Sequence, residues 1–104
     1  MAFVKVAQVN DLKKGEAKTV EVEGKQIALV RKDEEFFALD NTCCHRGGPL
    51  GEGSLEGDIL VCPWHGWGYH IKTGVSLVNP EAKVSVFLVK VEGKDVFVDI
   101  EAKV

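Results

Sequence analysis

Two short loops in this chain each offer one thiol and one imidazole in the same order, and few folds can satisfy that demand. Cys43-Cys44-His45-Arg46-Gly47-Gly48-Pro49-Leu50 comes first, and Cys62-Pro63-Trp64-His65-Gly66-Trp67 follows, so the pattern reads C-x-H-x16-C-x2-H. In an extended loop, residues two apart point the same way, so Cys43 and His45 can converge on one centre while Cys44 faces away. In the second loop Pro63 fixes one backbone angle at a turn, which draws Cys62 and His65 together. Gly47, Gly48 and Gly66 allow close approach of the backbone. Two soft and two borderline ligands on paired loops describe a metal centre.

Zinc accepts the same four ligands, but zinc modules usually pair like with like, as C-x2-4-C followed by H-x3-5-H. Here each loop mixes the types. That is what a binuclear centre requires when two thiolates hold one iron and two imidazoles the other. A nucleophilic Cys–His pair would leave the second loop without a role. On these residues the chain resembles the Rieske ferredoxins, small carriers with a 2Fe–2S cluster, over its whole length. The resemblance implies that Cys43, His45, Cys62 and His65 are the metal ligands and that the cluster is the cofactor.

The rest of the chain must then support two loops. With 104 residues there is room for one core, so a single domain over 1–104 is expected. Phe3–Val6 and Thr19–Val22 alternate in period two, as half-buried strands do. Glu23-Gly24-Lys25 and Glu92-Gly93-Lys94 are hairpin signals, the second flanked by Val84–Val91 and Val96–Ile100. Phe36–Leu39 is an apolar stretch running into the first ligand loop, and one short helical turn is expected near Asn10–Lys14, capped by Asn10 or Asp11. The fold class is therefore all-β, a small antiparallel sandwich or barrel with an inserted cluster-binding subdomain at about 41–81. This agrees with the Rieske fold that the resemblance implies. There a third, proline-containing loop covers the cluster, and Asn79-Pro80 is the candidate, or else an ordinary turn.

Residues around the ligands carry two readings each. Cys44 is an accessory thiol or, better supported, a small apolar group turned from the iron. Trp64 and Trp67 flank His65 as a collar against water or as packing, with Trp64 the more exposed. His70 is a proton-active group or, better supported, a surface residue. Arg46 guides a partner or keeps the loop soluble. In the high-potential relatives a serine two positions after the second histidine ligand donates to a bridging sulfide, and a tyrosine four positions after it donates to a cysteine sulfur. The matching positions here are Trp67 and Tyr69, so one donor is missing and the resemblance implies a low potential. Tyr69 either makes that contact or turns its hydroxyl to water. The membrane-anchored members also carry an extra cysteine in each loop. Here Gly48 (or a neighbour) and Trp64 stand at those places, so the inter-loop disulfide is not expected.

A net charge of −3 argues against a nucleic-acid partner, since phosphates need a basic face. No apolar run is long enough to span a bilayer, and the opening residues carry no apolar leader segment, so no membrane partner is expected. Three cysteines, two of them committed to iron, suit a reducing cytoplasm. No second metal constellation accompanies the first, so one-electron transfer without substrate chemistry is the expected function. By resemblance the partners are an NAD(P)H-dependent flavoprotein reductase and a terminal oxygenase, with a free monomer between them. The alternative is the small subunit of an NAD(P)H-dependent nitrite reductase, bound to its large subunit.

Overall fold

The computed structural model describes residues 3–41, 49–64, 66–78 and 81–103. Nine strands account for most of them: β1 Val4–Gln8, β2 Ala17–Val22, β3 Lys25–Lys32, β4 Glu35–Asp40, β5 Ser54–Glu56, β6 Ile59–Val61, β7 Gly68–His70, β8 Val86–Glu92 and β9 Asp95–Lys103. Six of them form an antiparallel sheet in the order β1-β9-β8-β4-β3-β2, whose outer strands β1 and β2 approach each other and nearly close a barrel. The other three, β5-β6-β7, form a small antiparallel sheet of their own. The chain is all-β, as the alternation implied.

Two apolar cores explain the sequence pattern. Ile27, Leu29, Phe36, Ala38, Phe87, Val96 and Val98 fill the barrel. Ala28, Val30, Leu39 and Val86 point the other way, against Leu50, Leu60, Cys62, Tyr69 and Ile71 of the segment between β4 and β8. Strands β3 and β4 therefore bury both faces, which is why Ile27-Ala28-Leu29-Val30 and Phe36-Phe37-Ala38-Leu39 are continuous apolar runs. Each such side chain contributes about 1.5–3 kcal/mol when it leaves water, so this second core is what seats the small sheet on the barrel.

The turns follow local chemistry. Glu23 and Gly24 both have positive φ (+50° and +83°), the pair a type I′ hairpin needs. The β3–β4 hairpin turns at Asp33, φ +52°, where an aspartate tolerates the left-handed region and no glycine announces it. The helical turn expected near Asn10–Lys14 is a 3-10 turn at Val9–Asp11 instead. Asp11 accepts the Gln8 backbone N–H at 2.8 Å, so the turn is capped at Gln8, two residues before Asn10 and three before Asp11. Strand β8 begins at Val86: the Ser85 carbonyl still accepts from the Asp40 N–H of β4 (2.9 Å), but the Val84 N–H turns away to the Gly74 carbonyl (2.9 Å).

A polar tie joins the two sheets. The Lys32 ammonium, at the end of β3, donates to the Asp58 carboxylate in the β5–β6 turn. That hydrogen bond holds the Asp58 carboxyl below its ordinary value of 3.8 and raises Lys32 above 10.5, with desolvation opposing both shifts. The tie's contribution is complete between those values. It is lost as pH falls through the lowered Asp58 value, and again as pH rises through the raised Lys32 value. Asp58→Asn should therefore unfold at lower urea than the parent at pH 7, with the gap closing below pH 3.8. An equal gap at pH 7 and pH 2 would remove the tie from the account.

Candidate metal centre

The second ligand loop is the tip of a hairpin. β6 and β7 pair as Ile59↔His70, Leu60↔Tyr69 and Val61↔Gly68, which leaves residues 62–67 as the connection. The Cys62 N–H closes it by donating to the Trp67 carbonyl at 2.7 Å. Pro63 and Trp64 make the turn, and Gly66 takes φ +70°. Cys62 is only 1% exposed and packs among Leu60, Tyr69 and Ile71, in no disulfide. Apolar walls disfavour a free thiolate, so Cys62 would bind as thiolate only where a metal supplies the compensating charge; its place at the mouth of the hairpin leaves it positioned to do so. His65 lies outside the described residues.

The first ligand loop leaves the barrel after β4 and returns at Pro49. Cys43, Cys44, His45, Arg46, Gly47 and Gly48 lie outside the described residues, but both stems are within them. The Leu50 N–H donates to the Asn41 carbonyl (2.8 Å) and the Gly51 N–H to the Asn41 side-chain oxygen (2.6 Å), so the loop has a hydrogen-bonded neck. A 3-10 turn, Leu50–Glu52, follows, with Leu50 and Gly51 buried. The two loops emerge side by side: Leu50 shares the second core with Cys62, and Gly53 sits so tightly on the Val61 carbonyl that any Cβ there would collide with it.

Four candidate neighbours are placed. Tyr69 is fully buried in the second core, so its hydroxyl does not reach water, and the surface reading of that residue fails. Trp64 is 49% exposed while Trp67 is half-buried against the core, the expected order. His70 is exposed, in the field of Asp58. Leu77 and Val78 are exposed too, and the Leu77 N–H donates to the Gly68 carbonyl (2.9 Å), which sets this apolar pair beside the base of the second loop. Asn79-Pro80 lies outside the described residues. Only Cys62 of the four ligand candidates is described, and no group of three or more metal-ligating side chains converges among the described residues. Asn41 and Gly51 were missed from sequence, where an amide at a strand end and one glycine among eleven carry little signal.

Comparison with known proteins bears on this geometry. Residues 2–97 match the family model for the Rieske [2Fe-2S] domain. The ferredoxin component of biphenyl 2,3-dioxygenase from Rhodococcus jostii (strain RHA1) is 36% identical over 105 residues, covering 100% of this chain and 98% of that protein. A chain of the solved complex of reduced oxygenase and oxidised ferredoxin in carbazole 1,9a-dioxygenase superposes with a TM-score of 0.87 at 32% identity, covering 98% of this chain and 95% of that one. A protein described as the small subunit of an NADPH nitrite reductase superposes with a TM-score of 0.82 over 95% of this chain and 99% of its own, at 21% identity, a likeness of fold alone.

Proposed function

The chain belongs to the Rieske [2Fe-2S] domain family, and we propose that it uses Cys43, His45, Cys62 and His65 to hold one 2Fe–2S cluster and carry single electrons to a terminal oxygenase. It is an electron carrier within a multicomponent system and not itself a catalyst. The observation that carries the ligand assignment is the emergence of two loop stems side by side, with buried Cys62 at one of them. We take residues 1–104 as one domain, with the segment between Asp40 and Val86 as its cluster-binding unit.

When bound, the cluster supplies one-electron redox chemistry, and exchanging two thiolates for neutral imidazoles sets its potential at about −150 to +300 mV, against about −400 mV for all-cysteine plant-type clusters. The protein's own residues do the rest. The core around Cys62 keeps water from one side, and half-exposed Trp64 with Leu77 and Val78 offers an apolar rim on the other. Such a rim suits a transient partner, which must desolvate the site quickly and leave again. The carrier's reductant is an NAD(P)H-dependent flavoprotein and its setting the cytoplasm, where it works as a free monomer. Among the described residues no helix is long and apolar enough to cross a membrane.

The nitrite reductase reading rests on a fold likeness, whereas two relatives at 36% and 35% identity are ferredoxin components of biphenyl dioxygenases. Purified protein should hold about two irons and two sulfides per chain and give a Rieske-type paramagnetic signal when reduced. Stopped-flow mixing with a dioxygenase terminal component should then reoxidise it. Stoichiometric zinc without iron overturns the metal reading, and electron delivery only to a nitrite reductase large subunit overturns the partner.

Trp67 makes a separate test of the low potential. A serine hydroxyl there, bonded to a bridging sulfide, favours the more negative reduced state. Taking about 1–2 kcal/mol for the difference, Trp67→Ser should raise the potential by roughly 40–90 mV. Removing the indole also admits water, which acts in the same direction. An unchanged or lower potential with the cluster intact would sink this account of the missing donor.

A further inference from the structure

Asn41 is 4% exposed, and nearly every hydrogen-bonding group it owns is engaged. Its side-chain oxygen accepts from the Gly51 N–H (2.6 Å) and from the Thr19 hydroxyl of β2 (3.2 Å). Its side-chain nitrogen donates to the Gln26 side-chain oxygen of β3 (3.4 Å), and its backbone N–H donates to the Gln26 carbonyl (3.3 Å). Its own carbonyl accepts from Leu50. One residue therefore ties together both ends of the first ligand loop and two barrel strands. Gly51 permits the contact, since a Cβ there would strike the Thr19 side chain and lie 2.8 Å from the Asn41 oxygen.

We propose that Asn41 is a positioning residue for the cluster: its amide locks the neck of the loop bearing Cys43 and His45 against β2 and β3, and so fixes where those ligands stand. This rests on the ligand reading above. The physical reason is general: eight residues separate Asn41 from Leu50, and closing any connection of that length costs entropy that a bonded pair of ends offsets. A backbone N–H to a buried amide oxygen fixes one end to a strand whose own position the barrel sets. Losing that amide leaves the Gly51 N–H buried without a partner. The neck would then reopen on the side where the ligands leave it.

The test uses the holoprotein. Asn41→Leu keeps the branched shape with bulkier methyls and removes both bonds of the oxygen and the one donated by the amide nitrogen. It should lose iron to a chelator about tenfold faster than the parent, the rate equivalent of about 1.4 kcal/mol, and broaden the paramagnetic signal of the reduced state. Asn41→Asp keeps the acceptors, and the Gln26 amide can turn its NH2 toward the new oxygen, so chelation within about threefold of the parent is expected. Arg31→Met is the control for plain destabilisation. Arg31 donates to the Val9, Leu12 and Asp33 carbonyls at the opposite end of β3, so its loss should lower the melting temperature while leaving chelation rate and signal as in the parent. Should Asn41→Leu fail to fold, Thr19→Val removes one of the two donors and should speed iron loss about threefold. Parental chelation and signal in Asn41→Leu, or in a folded Thr19→Val where Asn41→Leu does not fold, would overturn the proposal, as would equal acceleration by Arg31→Met. Iron and sulfide counts on the parent separate this from the ligand assignment: a parent without cluster sinks the assignment, and a loaded parent with an indifferent Asn41 sinks only the positioning role.

Discussion

Cys62→Ser protein should come out colourless and without sulfide, and Cys43→Ser should do the same, whereas Cys44→Ser should keep the cluster and its spectrum. Serine is nearly isosteric, but its hydroxyl is far less acidic than a thiol and binds iron poorly, so the substitution removes a ligand with little change of shape. Cys62 is the sharper of the two, because its surroundings are known. It is buried among Leu60, Tyr69 and Ile71, and the backbone bond from Cys62 to Trp67 does not involve sulfur. The hairpin should survive, so a folded colourless protein is the expected product, checked by circular dichroism beside iron analysis. Cluster loss in Cys44→Ser with retention in Cys43→Ser would shift the register of the first loop by one residue.

Gly74→Ala should be among the most damaging single methyl additions in the chain. Gly74 has φ +78°, and a Cβ there would collide with the Val84 carbonyl while crowding the Val86 side chain at 3.1 Å. Its N–H donates to the His70 carbonyl (2.7 Å) and its carbonyl accepts from the Val84 N–H (2.9 Å), so neither side can retreat without losing a bond. Left-handed strain costs about 1–2 kcal/mol and the forced backbone shift about 1–3. Near 3 kcal/mol, the melting temperature of a chain this size falls by about 12–24 °C. Gly24→Ala is the comparison: its φ is +83° but nothing lies within 4 Å, so strain acts alone. Equal losses in the two variants would show that the Val84 contact yields freely.

These two sites mark how far the sequence could be read. The proposed ligands Cys43, His45, Cys62 and His65 stand out in the sequence because thiols and imidazoles are scarce and their spacing is tied to chemistry, and of the four only Cys62 lies among the described residues. Strands β3 and β4 were legible in part, since their unbroken apolar runs report burial on both faces. Strands β5, β6 and β7, of three residues each, are too short to show a period, and of them only the stretch around Tyr69 and His70 read as strand. The hairpin at Asp33 lacked a glycine to announce it. Asn41, Gly51, Gly53 and Gly74 act through close approach of segments distant in sequence, and nothing local records that.

The segment carrying the metal loops begins and ends at one place. Leu39 pairs with Val86, and the Asp40 N–H reaches the Ser85 carbonyl at 2.9 Å, so forty-odd residues leave the barrel and rejoin it across a single ladder rung. The barrel strands on either side are already neighbours without it. This makes the segment a cassette: the stretch from 41 to 85 of a relative with a different potential should graft onto this barrel without lengthening or shortening any strand. The seam is Ala28, Val30, Phe37, Leu39 and Val86, whose side chains form the floor beneath the graft, together with Thr19, Gln26 and Lys32, which bond to Asn41 and Asp58; these must be exchanged with it. A chimera carrying both should inherit the donor's potential and keep the host's barrel.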